Sequence, residues 1–170
     1  EVLAVLYEFG SHCKWMHGCH SVKLLEEKSE LDFVLYNRTD APWPISDRDI
    51  VMRIKVEVIE TTHTVLIQFR SVQHPKMPAQ EGIVRMPKLV GYYKLVALSA
   101  SRTQVSYQVD ADPSGDLPNW VAQLVVEDMP FNTLSNLRKR VRETKGTHGE
   151  FRTKWNPEKN PDAPMLVPHQ

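Results

Sequence analysis

The sequence predicts an α+β domain in which an antiparallel sheet, apolar on one face, wraps around a long C-terminal helix. Two periodicities and the boundary between them predict it. From Ile50 to Val109 apolar side chains repeatedly alternate with polar ones, the period of half-buried strands. From Leu117 to Glu143 the spacing becomes helical, with Trp120, Leu124, Phe131, Leu134, Leu137 and Val141 near one side. The turn signal Asp112-Pro113-Ser114-Gly115 separates the two regions.

In chain order, Val2 to Phe9 reads as a short amphipathic helix stopped by Gly10, with Trp15 and Met16 packing in the compact turn that follows. Ser21–Glu27 and Leu31–Asn37 are β-rich runs split by Lys28, Ser29 and Glu30, which reads as a hairpin. Ala41-Pro42-Trp43-Pro44 is a rigid connector, because each proline fixes φ, removes a donor and pushes the preceding residue out of helical geometry. Trp43 is expected to plug the core beneath it. Ile50, Met52, Ile54, Val56 and Val58 then alternate with Val51, Arg53, Lys55, Glu57 and Ile59 as a long strand. Val65, Ile67 and Phe69, set against Thr64, Gln68 and Arg70, read as its antiparallel neighbour. Gln73–Gly82 carries Pro75 and Pro78 and reads as a surface loop before extended structure resumes at Ile83–Met86 and Gly91–Leu98. Val105, Tyr107 and Val109 mark a last strand over Thr103–Val109. Pro130 predicts a kink in the helix, or a restart near Asp128. Residues 144–170 hold four prolines and no period, so the expected organisation is one domain over 1–143 and an irregular tail over 144–170.

Composition narrows the function classes. With 170 residues, 41% apolar and 25% charged, the chain is long enough for one domain with a sizeable core. Lys plus Arg and Asp plus Glu are 21 each, for net charge +0, and no stretch interleaves basic with aromatic residues, which argues against nucleic acid as a partner. No apolar run approaches the roughly 18 to 20 residues that span a bilayer, and Val2–Leu6 is too short for a signal-peptide core, so a soluble domain is expected. Cys13 and Cys19 cannot build a multi-bridge framework, which favours a reducing compartment such as the cytoplasm. The sequence contains no Gly-rich phosphate loop, nucleophile elbow or His-Glu metalloprotease helix, so catalysis has no obvious seat and no cofactor is expected.

A sheet gripping one helix, with a mostly medium-sized inward set, either encloses an elongated apolar cavity or packs solid; periodicity leaves both open. Four stretches bear on the choice: Ala41–Asp49 (APWPISDRD), Met77–Met86 (MPAQEGIVRM), Val105–Trp120 with its DPSGDLPNW, and Leu134–Val141 (LSNLRKRV). In order and spacing they resemble the START domain, the StAR-related lipid-transfer family, from Gly10 to Glu143. The resemblance implies the helix-grip fold, a curved antiparallel sheet around a C-terminal helix, enclosing a tunnel for one lipid or sterol-like molecule. Family domains begin with another helix and a first set of strands, to which nothing here corresponds. Where sterol-carrying members place an inward acid and arginine this chain has Leu35 and Ile54, so a sterol is less favoured than a generic apolar ligand.

The expected tunnel wall is Ile50, Met52, Ile54, Val56, Val65, Ile67, Phe69, Val105, Tyr107 and Val109 from the strands, and Val121, Leu124, Val125, Asp128 and Phe131 from the helix. Asp128 either meets a polar ligand group or caps the helix after Pro130, and Tyr107 and Ser71 offer further polar contacts. The resemblance places a gate at Gln73–Gly82, with Pro75, Met77 and Pro78 at its tip; the alternative is a static loop. Arg48 and Asp49 match the family's arginine-aspartate step and supply either polarity at one end of the tunnel or a structural ion pair. His12, Cys13, His17, Cys19 and His20 gather metal-type side chains, but their spacing matches no zinc finger or ribbon, so no metal is expected. Arg138, Lys139, Arg140, Arg142 and Lys145 complement the helix dipole or make transient contact with an anionic membrane. A runner-up reading is a polyketide cyclase or aromatase on the same scaffold, drawing on Asp128, Tyr107 and His63. A third is an interaction module with a filled interior.

Overall fold

The structure is a computed structural model, and it describes residues 1–115, 117–118 and 128–154. Helix α1 (Val2–Tyr7) leads through a 3-10 turn (Phe9–Lys14) into β1 (Cys19–Ser29), β2 (Asp32–Thr39), β3 (Arg48–Ile59), β4 (Thr64–Ser71), β5 (Val84–Arg85), β6 (Lys88–Ser99) and β7 (Arg102–Asp112). Helices α2 (Met129–Glu143) and α3 (Gly149–Lys154) follow. The sheet runs β1-β2-β3-β4-β6-β7, antiparallel throughout, and β5 adds a two-residue parallel pair on β3. This is the α+β architecture of a curved sheet with a C-terminal helix that the periodicities predicted.

Tight connections set the register. Ser29 pairs with Asp32 and Ser99 with Arg102, so those hairpins close over two residues, while the β3–β4 turn is a 3-10 turn ended by His63 at φ 47°. Three register shifts in β1 bend that strand, because each extra residue increases local twist. Pairing then stacks Phe33 on Ile54, Ile54 on Phe69, Ile67 on Tyr93 and Tyr93 on Tyr107, all on the concave face. Leu3, Val5 and Leu6 of α1, Trp15, and Leu137 of α2 close the core over that face.

The back of the sheet is not the polar surface that alternation suggested. Val34, Tyr36 and Val51 form a second buried cluster there, covered by Leu25, Val72 and Met77. Met77 brings the 73–82 loop into that cover, and Arg85 ties the loop down by donating to the Met77 and Pro78 carbonyls.

Pro130 sits in the first turn of α2, the position a helix tolerates best for proline. Asp128 occupies the N-cap position with helical φ −76° and ψ −41° and makes no capping bond through its side chain. The stretch expected to begin the long helix, including Trp120, Leu124 and their neighbours over 119–127, lies outside the described residues. Residues 145–154, assigned to the irregular tail by composition, include α3, and Phe151 packs on the main core. Glu1 links this segment to α1, accepting from the Gly146 N–H at 3.1 Å and bonding His148 at 3.1 Å.

Candidate functional site: an apolar cavity under the sheet

The concave face, α1 and the start of α2 enclose a cavity of about 230 Å3. The strands contribute because their alternation sends every second side chain inward. Phe33, Leu35, Asn37 and Thr39 come from β2, Arg48, Ile50, Met52 and Ile54 from β3, and Ile67 and Phe69 from β4. Leu89 and Tyr93 of β6 face Tyr107, Val109 and Ala111 of β7. Leu6 and Tyr7 of α1, Phe9 and His12 of the 3-10 turn, and Met129, Pro130 and Thr133 of α2 complete the wall. Asp40 and Pro42 line the cavity while exposed, so it meets solvent beside the β2–β3 connector.

Of the expected wall, Ile50, Met52, Ile54, Ile67, Phe69, Tyr107 and Val109 line the cavity. Val56 and Val65 are buried in the core beyond it, and Val105 packs against that core. Asp128 is exposed and Phe131 is 72% exposed, and neither lines it. Val121, Leu124 and Val125 lie outside the described residues. Pro75, Met77 and Pro78 belong to the loop behind the sheet, on the side away from the cavity. Ser71 is not in the wall either; its hydroxyl donates to the Pro87 carbonyl at 3.4 Å.

Arg48 and Asp49 part company, because adjacent strand residues face opposite sides. Arg48 lines the cavity; Asp49 is buried on the far face and pairs with Arg85. Trp43, expected as a core plug, is 90% exposed: the prolines on either side fix the connector but do not turn its side chain inward.

The polar groups in the wall are mostly committed. Tyr93 and Tyr107 stack with ring centroids 4.4 Å apart. Burial pushes Tyr107 up to about 12 and Tyr93 well above the usual phenol value, so both stay neutral. The trio considered for cyclase chemistry does not converge, since Tyr107 lines the cavity but Asp128 and His63 do not. His12 is held below its ordinary pKa by burial, and the neutral ring bonds the Leu6 carbonyl through Nε2 at 2.9 Å.

The cysteine and histidine cluster is resolved by covalent chemistry. Cys13 and Cys19 form a disulfide, the pairing that the compartment argument from two cysteines did not anticipate. Their sulfurs are thereby withdrawn from ligation. Donor atoms of His20, Asp40 and Asp47 do lie within 4.8 Å of one another. Asp47, however, already accepts from Arg38 and from the Ala41 N–H, so its charge is spent on the connector. At the basic end of α2, Arg140 bridges to Glu8 at 3.3 Å, whereas Arg138, Lys139, Arg142 and Lys145 are exposed.

Sequence reasoning missed Leu6, Tyr7, Phe9, His12, Asn37 and Thr39. In β2 the run Phe33-Val34-Leu35-Tyr36 is apolar on both faces, so no alternation marks the inward set. The α1 contribution is a long-range packing event with no local signal beyond the helix's own apolar face.

Comparison with known proteins is consistent with this geometry. An uncharacterized protein of Pseudomonas aeruginosa is 38% identical over 126 residues, covering 74% of this chain and 61% of that protein. Bovine phosphatidylcholine transfer protein is 26% identical over 133 residues, covering 74% of this chain and 60% of that protein. The chain thus spans about three fifths of the length of both relatives. Among solved structures, a STAR-related lipid transfer protein fragment from Xanthomonas axonopodis superposes with TM-score 0.72 at 32% identity, covering 83% of this chain and 77% of that one. Human STARD10 gives TM-score 0.74 at 22% identity over 98% and 68% of the two chains, a likeness of fold. The START domain family model matches residues 1–147, and the chain belongs to that family.

Proposed function

We propose that the domain binds one lipid or similar apolar molecule in its cavity and carries or senses it. The observation behind the reading is the cavity itself, about 230 Å3 and walled chiefly by aliphatic and aromatic side chains. It is larger than the roughly 150 Å3 apolar void that accepts a benzene ring. Burying a chain there gains about 25 cal/mol per Å2 of apolar surface, with a few polar groups fixing the head. Lipid transfer by START-domain relatives supports the class of ligand, and the absence of an inward acid-arginine pair at Leu35 and Ile54 favours something other than a sterol.

In this reading the ligand enters past the β2–β3 connector, because Asp40, Ala41 and Pro42 are part of the wall while Pro75, Met77 and Pro78 are not. Trp43 on the same connector is the group for transient membrane contact. The ligand-binding unit extends past residue 143 through α3, since Phe151 packs on the core.

The test is organic extraction and native mass spectrometry of the purified protein. A co-purified lipid, lost in Ile54→Trp and retained in Val105→Trp, is the expected result. A protein that takes up no apolar ligand under any condition, from medium or from vesicles, overturns the reading.

A further inference from the structure

We propose that the guest carries an anionic head group, seated at the β2–β3 end of the cavity against Arg48, with Asn37 and Thr39 beside it. The proposal rests on the lipid-binding reading and adds the charge of the ligand.

The argument begins with how the arginines are partnered. Among the described residues, the half-buried Arg38, Arg53, Arg85 and Arg140 each sit on a carboxylate, from Asp47, Asp32, Asp49 and Glu8 respectively. Arg48 is also half-buried, yet it lines the cavity and has no carboxylate partner among the described residues. Nε donates to the Pro113 carbonyl at 3.4 Å, Nη2 to the Ser114 carbonyl at 3.3 Å, and Nη1 to the Ser46 carbonyl. Carbonyls position a guanidinium without neutralising it, and these three bonds leave N–H donors without a partner among the described residues. A fork of that kind, held still and carrying its charge into an apolar space, is matched by a carboxylate or a phosphate.

Its neighbours fit the same partner. Thr39 pairs with Arg48 in the β2–β3 register and Asn37 with Ile50, so Asn37, Thr39 and Arg48 share one end of one face. Asn37 is only 8% exposed, and among the described residues its Nδ2 reaches nothing better than sulfur, Met16 Sδ at 3.8 Å and Cys19 Sγ at 3.9 Å. Its Oδ1 already accepts from the Thr39 hydroxyl at 3.2 Å, so what the amide can still offer is a donor. Asp40, the acidic member of the wall among the described residues, is exposed and bonded to His20 at 2.7 Å, which turns its charge toward solvent. Further along the strands Leu35, Met52, Phe33 and Ile54 are apolar. An amphiphile therefore lies with its tail among them and its head at Arg48.

The experiment titrates lipid-stripped protein by calorimetry with laurate, dodecyl phosphate and dodecanol, whose chains match and whose heads differ. One or both anions should bind about tenfold or more tighter than dodecanol, the scale of one charge-assisted hydrogen bond; which anion leads separates a carboxylate from a phosphate guest. Arg48→Gln should erase the preference while leaving dodecanol affinity in place. Because Arg48 also ties two loops, Asn37→Asp is the second variant: it offers Arg48 an internal carboxylate and should cost the anions about tenfold without altering dodecanol. Equal binding of all three ligands overturns the proposal and leaves the lipid reading standing. A preference that survives both variants also overturns it, placing the anion elsewhere. Binding of none of the three overturns the lipid reading and this proposal together.

Discussion

Asp49 and Arg85 meet as a two-pronged pair on the back of the sheet, with Nε and Nη2 donating to the two carboxylate oxygens at 2.6 and 3.0 Å. Asp49 is 1% exposed, and Arg85 also donates to the Met77 and Pro78 carbonyls. One ion pair thus fixes β5 to β3 and the 73–82 loop to the second core.

Removing Asp49 should therefore cost stability and spare the cavity. Asp49→Ala leaves the Arg85 guanidinium partly buried without its counter-charge, a change worth about 3 to 5 kcal/mol. The urea midpoint should fall accordingly, while the ligand content of the folded fraction matches the parent. The double variant with Arg85→Ala should lose less than the sum of the two singles, since each single variant strands the other charge.

Gly91 should tolerate no side chain. A Cβ there would lie 2.2 Å from the Gln108 carbonyl oxygen and 2.5 Å from Phe69 Cε2. The aromatic ring crosses over the glycine, and β7 runs too close behind it. Gly91→Ala should lose at least about 1 to 3 kcal/mol by overpacking and push Phe69 into the cavity. Adding Phe69→Leu relieves the ring contact but not the backbone one, so thermal melts should show partial recovery only.

These two residues also show what a sequence can and cannot announce. The strand from Ile50 to Val58 was legible because its inner positions are apolar and the outer ones include Arg53, Lys55 and Glu57. Asp49 and Arg85 were not, because a charge at a strand end reads the same whether it faces solvent or a second buried cluster. The inward set of β2 was hidden for the matching reason: with both faces covered, Phe33 to Tyr36 carries no period. The place of Arg48 was half legible. The resemblance put it, together with Asp49, either at one end of the tunnel or in an ion pair without separating the two residues, and the carbonyls that hold it come from Pro113 and Ser114, brought near only by the closed fold.

Stability should decline at both ends of the pH scale, for separate reasons. Burial holds the folded His12 below its ordinary value of about 6.5, so the unfolded chain binds more protons as pH falls. The His12 contribution is complete above about pH 6.5 and is lost as pH drops toward the folded value. At the alkaline end, Tyr93 and Tyr107 stay protonated in the fold beyond the unfolded value of about 10. Their contribution is complete below about pH 10 and is lost as pH rises from there to about 12. Urea midpoints across the range should show both declines, with His12→Phe flattening the acid one and Tyr107→Phe reducing the alkaline one.

Filling the cavity should separate binding from folding. Ile54 lies midway along β3, between Phe33 and Phe69 in the register, and lines the void. In Ile54→Trp the indole takes the space a lipid chain would use, so lipid uptake should fall to background while the circular dichroism spectrum stays native. Val105→Trp enlarges a residue beside the core rather than in the wall and should leave uptake intact. Loss of uptake in both variants, with both folded, would show that bulk anywhere in the sheet suffices and would remove the cavity from the explanation.

Trp43 presents the opposite case, a large side chain whose loss should affect exchange and not stability. It is 90% exposed between Pro42 and Pro44, on the connector whose Asp40, Ala41 and Pro42 line the cavity. An exposed indole at that point has no packing to lose, so Trp43→Ser should leave the thermal midpoint within error of the parent. It does have an amphipathic ring suited to the head-group layer of a bilayer. If the protein takes its lipid from a membrane, transfer of a fluorescent lipid between vesicles should slow several-fold in Trp43→Ser, with binding at equilibrium unchanged. An equal slowing in Phe131→Ser, whose ring is 72% exposed at the start of α2, would extend the contact surface across the opening to the helix. Unaltered rates in both would mean that the lipid is collected from solution, and the exposed indole would then need another explanation.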